Sequence, residues 1–141
     1  MSLEAIKAAI PHRESFLLLD EVVEQSDRRI VCRKKFTGEE FWYQGHYPSF
    51  PLTPGVLLCE AGMQAGAVLL SKFAAGSPGG VPVVTRLNNA KFKNMVRPGD
   101  TIEITAELAD RLADAFFLTA KITVNNKTAA TFDFVCKLAQ T

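Results

Sequence analysis

The sequence predicts an α+β domain in which an antiparallel sheet of about six strands wraps around one long central helix. Three observations carry this. A single long stretch, residues 55–75, is apolar on nearly every helical face. Later segments alternate apolar and polar residues in the manner of half-buried strands. At 141 residues, 48% apolar and 22% charged, the chain has room for one core and not for two enzymatic domains of ordinary size, so residues 1–141 read as a single domain.

A short amphipathic start covers Leu3 to Ala9. Phe16-Leu17-Leu18-Leu19-Asp20 runs into Glu21–Glu24, and this segment pairs antiparallel with Ile30–Phe36 through Ser26-Asp27-Arg28. Residues 37–54 hold Pro48, Pro51, Pro54 and two aromatic clusters without a sustained period. That is a long loop, and a loop of such length in a small domain is usually functional.

Thr53 is placed to cap the helix, Pro54 suits its first position, and Gly76 ends it after Phe73-Ala74-Ala75. Ala61, Gly62, Ala65, Gly66 and Ala67 give it a surface that other backbones approach closely. The loop Gly76–Gly80 leads to strands over Val81–Phe92, Thr101–Leu108, Phe116–Val124 and Thr128–Leu138. Ile102, Ile104, Ala106 and Leu108 share one face, as do Phe116, Leu118, Ala120, Ile122 and Val124. Asn125-Asn126 reads as a tight hairpin turn, since Asn tolerates positive φ. A sheet edge left over in so small a domain is most simply covered by a second copy, so a dimer is expected.

Sixteen basic and fifteen acidic residues leave a net charge of +1, which argues against a dedicated nucleic-acid binder. Residues 55–75 are long enough to span a bilayer, but Glu60, Gln64, Ser71 and Lys72 are costly in lipid, so a buried helix and no membrane partner are expected. Cys32, Cys59 and Cys136 have no metal-clip or disulfide spacing. A reducing compartment fits, and with no basic leader before residue 10 a cytoplasmic place is expected.

The candidate chemistry clusters around the helix start. His46 stands in Gln44-Gly45-His46-Tyr47-Pro48, where flanking prolines restrict the backbone and hold an imidazole in place. Glu60 sits among Leu57, Leu58, Cys59 and Ala61, and a carboxyl in such company has a specific task. Gln64, one turn on, is placed to hold it by a hydrogen bond. The Gly55 N–H lies among the helix-start donors that lack an intrahelical acceptor, where a carbonyl oxygen is polarised. A base, a buried acid and a carbonyl-binding donor suit proton abstraction next to a carbonyl. Cys59 reads as packing rather than as a nucleophile, and no metal or other cofactor is expected. His12, after Pro11, reads as a hydrogen-bonding structural residue.

These residues resemble the 3-hydroxyacyl-acyl-carrier-protein dehydratases of fatty acid synthesis, which have the hot-dog fold. Pro11-His12-Arg13 with Phe16–Asp20 is similar to the family's opening segment, and Gln44–Pro48 with Pro54-Gly55-Val56-Leu57 to its active-site loop and helix start. Glu60-Ala61 with Gln64, then Ala90-Lys91-Phe92-Lys93 with Pro98-Gly99-Asp100, continue the match in order to the C-terminus. The resemblance implies removal of water from (3R)-3-hydroxyacyl thioesters to give trans-2-enoyl thioesters. It assigns His46 as base and Glu60 as acid, with Gly55, Val56 and Gln64 beside the substrate. It further implies an acyl carrier protein as partner and a homodimer whose base and acid come from different chains, leaving open a trimer of dimers. Glu60, rather than Asp, favours the branch that does not isomerise the double bond. Ser49 stands where a Gly usually follows the His-aromatic-Pro triplet, and Val81–Arg86 departs from the usual strand, so acyl-chain length stays open. A hot-dog acyl thioesterase and a non-catalytic acyl-carrier-binding module remain the alternatives. Candidate carrier contacts are Arg28, Arg29, Lys34, Lys35, Lys91, Lys93 and Arg97.

Overall fold

Ser2 opens the described part of the chain: its hydroxyl accepts from the Ala5 N–H and caps α1 (Leu3–Ala9), whose Ile6 is fully buried. The computed structural model describes residues 2–74 and 80–140. After α1 come β1 (Glu21–Gln25), β2 (Arg29–Lys35), a 3-10 turn (Phe41–Gln44), α2 (Gly55–Ala74), β3 (Gly80–Phe92), β4 (Thr101–Leu112), β5 (Ala115–Val124) and β6 (Lys127–Gln140). The six strands form one antiparallel sheet in the order β1-β2-β4-β5-β6-β3, and α2 packs against β2 through β6. This is the hot-dog arrangement. The short apolar start of the chain is thus a second helix, and the long loop contains a turn of 3-10 helix.

The alternation read from β4 and β5 sets the core. Ile102, Ile104, Ala106, Phe116, Leu118 and Ile122 point inward and are buried, against Leu69 and Leu70 of α2. Burying side chains of this size contributes about 1.5–3 kcal/mol each. Gly62 and Gly66 are the close-approach points: a Cβ on Gly66 would lie 2.7 Å from Phe134 Cζ, and one on Gly62 would strike the Phe132 ring. Asn125 and Asn126 have φ of 50° and 64°, which makes the β5–β6 hairpin the expected Asn-Asn turn.

Two element boundaries change, and a third falls outside the described residues. Thr53 does not cap α2, because its buried hydroxyl lies 2.5 Å from the Tyr43 hydroxyl; the helix opens on the Pro54 carbonyl, which accepts from Leu57 and Leu58 N–H. The strand at 101 runs on to Leu112, because β5 offers it partners beyond a bulge at Leu108/Asp110. Gly76 and the rest of the loop before Gly80 lie outside the described residues.

The two sheet edges differ. β1 is five residues long and guarded by Glu21 and Glu24, each paired to an arginine of β2. β3 is thirteen residues long and, instead of half-buried, exposed along most of its length within one chain. Val83, Val84, Leu87 and Phe92 are all exposed there, by 41% to 52%.

Candidate active site

The candidate residues fall into two groups. In the first, the backbone N–H of His46 donates to the Trp42 carbonyl at 2.9 Å, and its Nδ1 lies 2.9 Å from the Leu52 carbonyl oxygen. A carbonyl oxygen only accepts, so Nδ1 carries the ring proton and Nε2 keeps its lone pair. Tyr47, packed on the imidazole at 4.6 Å between ring centroids, has φ of 61°. A bulky residue in the left-handed region costs about 1–2 kcal/mol, which the contacts of the loop must sustain.

Those contacts are aromatic and turn-like. Trp42 stacks edge-on against Phe36 and Phe41, Thr53 N–H donates to the Val96 carbonyl, and Arg97 covers the Phe50 ring at 5.2 Å. At the head of the loop, Glu40 accepts from the N–H groups of Thr37 and Gly38. Burial pushes its carboxyl up, but these backbone bonds outweigh it and hold the group below the usual carboxylate range.

Leu52 continues into a cleft of about 480 Å³, whose walls include Gly55, Val56, Phe92, Met95 and Val96. Gly55 and Val56 present the first N–H groups of α2, which have no carbonyl one turn earlier in the helix to receive them. Phe92 stands over Gly55 so closely that a Cβ there would lie 2.8 Å from its ring. Val56 is 71% exposed, an unusual place for valine. The cleft therefore offers an apolar wall and a donor pair suited to a carbonyl oxygen with an aliphatic chain behind it.

The second group lies further along α2. Gln64 is 1% exposed, and its Nε2 donates to Glu60 Oε2 at 3.0 Å and to the Phe16 carbonyl at 2.9 Å, while its Oε1 accepts from Leu18 N–H at 2.7 Å. Both amide hydrogens are thus committed, and Gln64 holds the carboxyl and the opening segment together instead of facing a ligand. Glu60 also lies 3.7 Å from His12 Nε2, at the end of an apolar cavity of about 350 Å³ lined by Met63, Val83, Val84 and Leu87. Burial pushes the Cys59 thiol up, so it carries no thiolate character.

Among the described residues no hydrogen bond or ion pair joins His46 to Glu60, and each lies by a different hollow. The structure brings together Glu60, Gln64 and His12, and separately Gly55 and Val56 in the cleft that Leu52, the partner of the His46 ring, also lines. Two site features were not singled out from sequence. The Leu52 carbonyl that sets the His46 tautomer is a backbone group without any sequence mark, and His12 was read as structural although Pro11-His12-Arg13 stood in the opening motif. Among the described residues its ring makes no hydrogen bond: Nδ1 is buried without a partner and Nε2 stands 3.7 Å from Glu60 Oε2.

The expected basic residues also divide. Arg28 donates to the Leu108 and Ala109 carbonyls, Arg29 pairs with Glu24 and Glu107, and Lys34 with Asp20. Lys93 lines the cleft, and Lys93, Arg97 and Lys127 border a smaller hollow that shares Asn94 and Met95 with it.

Residues 10–133 match the FabA-like domain. The chain is 38% identical over 130 residues to a Clostridium perfringens protein named 3-hydroxyacyl-[acyl-carrier-protein] dehydratase FabZ, covering 92% of each. A protein of the same name from Solibacter usitatus is 33% identical over 99% of this chain and 86% of its own length. Among solved structures, a chain of the dehydratase heterocomplex ApeI:P from Xenorhabdus doucetiae superposes with a TM-score of 0.77 at 14% identity, covering 96% of this chain and 91% of that one. The E. coli PaaI protein superposes at 0.67 with 17% identity, covering 83% and 81%, and at such identities both share the fold alone. By the domain match and the relatives at 33–38% identity, the chain belongs to the FabA-like family.

Proposed function

We propose that this protein removes water from (3R)-3-hydroxyacyl thioesters to give trans-2-enoyl thioesters, acting as a single catalytic domain in fatty acid synthesis with His46 as base and Glu60 as acid. The observation that carries this is the His46 ring, whose Nδ1 is tied to the Leu52 carbonyl so that Nε2 is left to take a proton. The thioester carbonyl accepts from the Gly55 N–H, which makes the neighbouring α-proton more acidic. His46 Nε2 takes that proton, the C–H electrons form the double bond, and the β-hydroxyl leaves as water with the proton given by Glu60. The relatives carrying the dehydratase name support the reaction.

The active unit is a homodimer with each site assembled from the base group of one chain and the acid group of the other. The separation of the two groups within one chain and the open edge strand β3 with its exposed apolar side chains support this. The thioester arrives on an acidic acyl carrier protein that docks at Lys93, Arg97 and Lys127 beside the cleft, where basic side chains border an apolar wall. The three buried free thiols fit a cytoplasmic place.

The experiment is an assay of purified protein with (3R)-3-hydroxyacyl thioesters of several chain lengths, on carrier protein and on coenzyme A. Enoyl thioester as the product supports the reading; free acid and thiol as the products replace it with a thioesterase.

A further inference from the structure

The Glu60 carboxyl group is held asymmetrically. Two nitrogen donors converge on one oxygen: Gln64 Nε2 at 3.0 Å from Oε2, and His12 Nε2 at 3.7 Å from the same atom. Among the described residues, none donates to Oε1. His12 comes from the opening segment, which Gln64 ties to α2 through Phe16 and Leu18. The neutral His12 ring is also restricted to one tautomer. Its Nδ1 is buried with no partner. A proton there would be an unpaired buried N–H, which costs about 1–3 kcal/mol, so the proton resides on Nε2, the nitrogen that faces Glu60. At 3.7 Å the contact is longer than a hydrogen bond, as such contacts often are before substrate binds.

We propose that His12 is a positioning residue for the acid: with Gln64 it makes Oε2 the accepting oxygen of Glu60, so the transferable proton sits on Oε1 and leaves from there. The inference rests on the reading of Glu60 as acid. In the reaction the Oε1–H bond breaks and its proton goes to the departing β-hydroxyl, while the α-proton goes to His46 Nε2. Glu60 is left as a carboxylate whose Oε2 still faces two donors, and the proton that returns from the imidazolium or from water again finds Oε1 free. A carboxyl released from His12 both turns and shifts on its stem: an even choice between the two oxygens would cost only about a factor of two, whereas a displacement of the proton by about 1 Å costs on the order of 10²-fold in rate.

The test compares kcat and KM for a (3R)-3-hydroxyacyl thioester in His12→Leu, His12→Asn, His12→Gln and Glu60→Gln, with melting temperature and sedimentation on each. His12→Leu and His12→Asn, which present no donor at the Nε2 position, are expected to lower kcat by about 10- to 100-fold with KM within about threefold of wild type. His12→Gln, whose longer amide reaches that position, should recover most of the loss. Because His12 acts through Glu60, adding His12→Leu to Glu60→Gln should cost little more than Glu60→Gln alone. Wild-type kcat in folded His12→Leu or His12→Asn, or a full further loss in the double variant, overturns the inference while leaving the acid reading intact. Wild-type kcat in Glu60→Gln overturns the acid reading itself. If His12→Leu does not fold, the contrast of His12→Asn with His12→Gln decides: equal losses from the two overturn the role.

Discussion

Glu60 hangs from a helix packed on the sheet, and its carboxyl is tied through one buried glutamine to two backbone groups of a distant segment. His46 rides on an 18-residue loop, held by a backbone carbonyl six residues ahead and by one aromatic neighbour, Tyr47, that is itself half in solvent. The acid group is complete within one chain, whereas the base group borders exposed Tyr47, Phe50, Val56, Phe92 and Met95. Buried polar residues hold direction by hydrogen bonds that water does not contest; a loop at an open apolar surface holds direction only once that surface is covered. The difference teaches that folding of one chain suffices to orient the Glu60 carboxyl, whereas the His46 loop is left beside an open apolar surface; on the proposed roles, the acid is then pre-organised by folding and the base by association.

The largest effect expected tests that division directly. His46→Ala and Glu60→Gln should each lower turnover by roughly 10²- to 10⁴-fold with little change in binding. If the two groups meet across a dimer, an equal mixture of the two inactive proteins, exchanged to equilibrium, forms half heterodimers with one intact site each. About a quarter of wild-type activity should then return. If both groups of a site came from the same chain, no mixed dimer would hold an intact site and no activity would return, which sinks the division.

A smaller effect is expected at the clamp. Gln64→Leu leaves the Leu18 N–H buried without its partner, at a cost of about 1–3 kcal/mol, strips the half-buried Phe16 carbonyl of its donor, and frees the Glu60 carboxyl. Both the melting temperature and kcat should fall. The equivalent injury on the base side, Tyr47→Gly, should lower kcat and leave the melting temperature within a few degrees or raise it, because it relieves a left-handed backbone position outside the core. Equal losses of stability at the two positions would erase the contrast.

How far the sequence told this story follows the same line. Strand periodicity, the small-residue face of α2 and the Asn-Asn turn were legible because each expresses a local rule: alternation, close approach, positive φ. Glu60 with Gln64 was legible because one helical turn separates them. Thr53 misled because capping is a local rule that a tertiary hydrogen bond to Tyr43 overrode. Half-burial of β3 was read from its pattern, but a pattern does not say which chain covers the strand. The nearness of His12 to Glu60 is not legible, because forty-eight positions separate them, a distance no periodicity spans.

Charge around the cleft gives a third, milder test. Lys93→Glu and Arg97→Glu should raise KM several-fold for a carrier-linked substrate, and the effect should shrink as salt rises, while KM for the coenzyme A thioester changes less. Lys34→Glu is the control, since that lysine is already paired with Asp20 away from the cleft. Equal sensitivity of Lys34 and Lys93 would mean that the carrier does not choose the base side.

The smallest effect expected concerns the loop's hold on itself, and pH reads it. Glu40 accepts from the Thr37 and Gly38 N–H groups, and its carboxyl stays ionised below the usual range despite the opposing effect of burial. A group whose folded pKa is lowered contributes stability above its unfolded value and loses it as pH falls through the folded value. The loop head should therefore be fully tied above about pH 4.5, an ordinary value for an unpaired glutamate, and loosen below it. Trp42, the single tryptophan of the chain, sits two residues further on and reports the change by its fluorescence. In wild type its emission should shift as pH falls below the usual carboxylate range, while far-ultraviolet circular dichroism of the sheet is unchanged. Glu40→Gln should show the shifted emission already at neutral pH, with kcat lowered only a few-fold and the melting temperature near that of wild type. On the acid side the buried anchor, Gln64, is neutral at every pH. Identical low-pH emission in wild type and Glu40→Gln, with no difference at neutral pH, would mean that the loop's order comes from its aromatic packing alone.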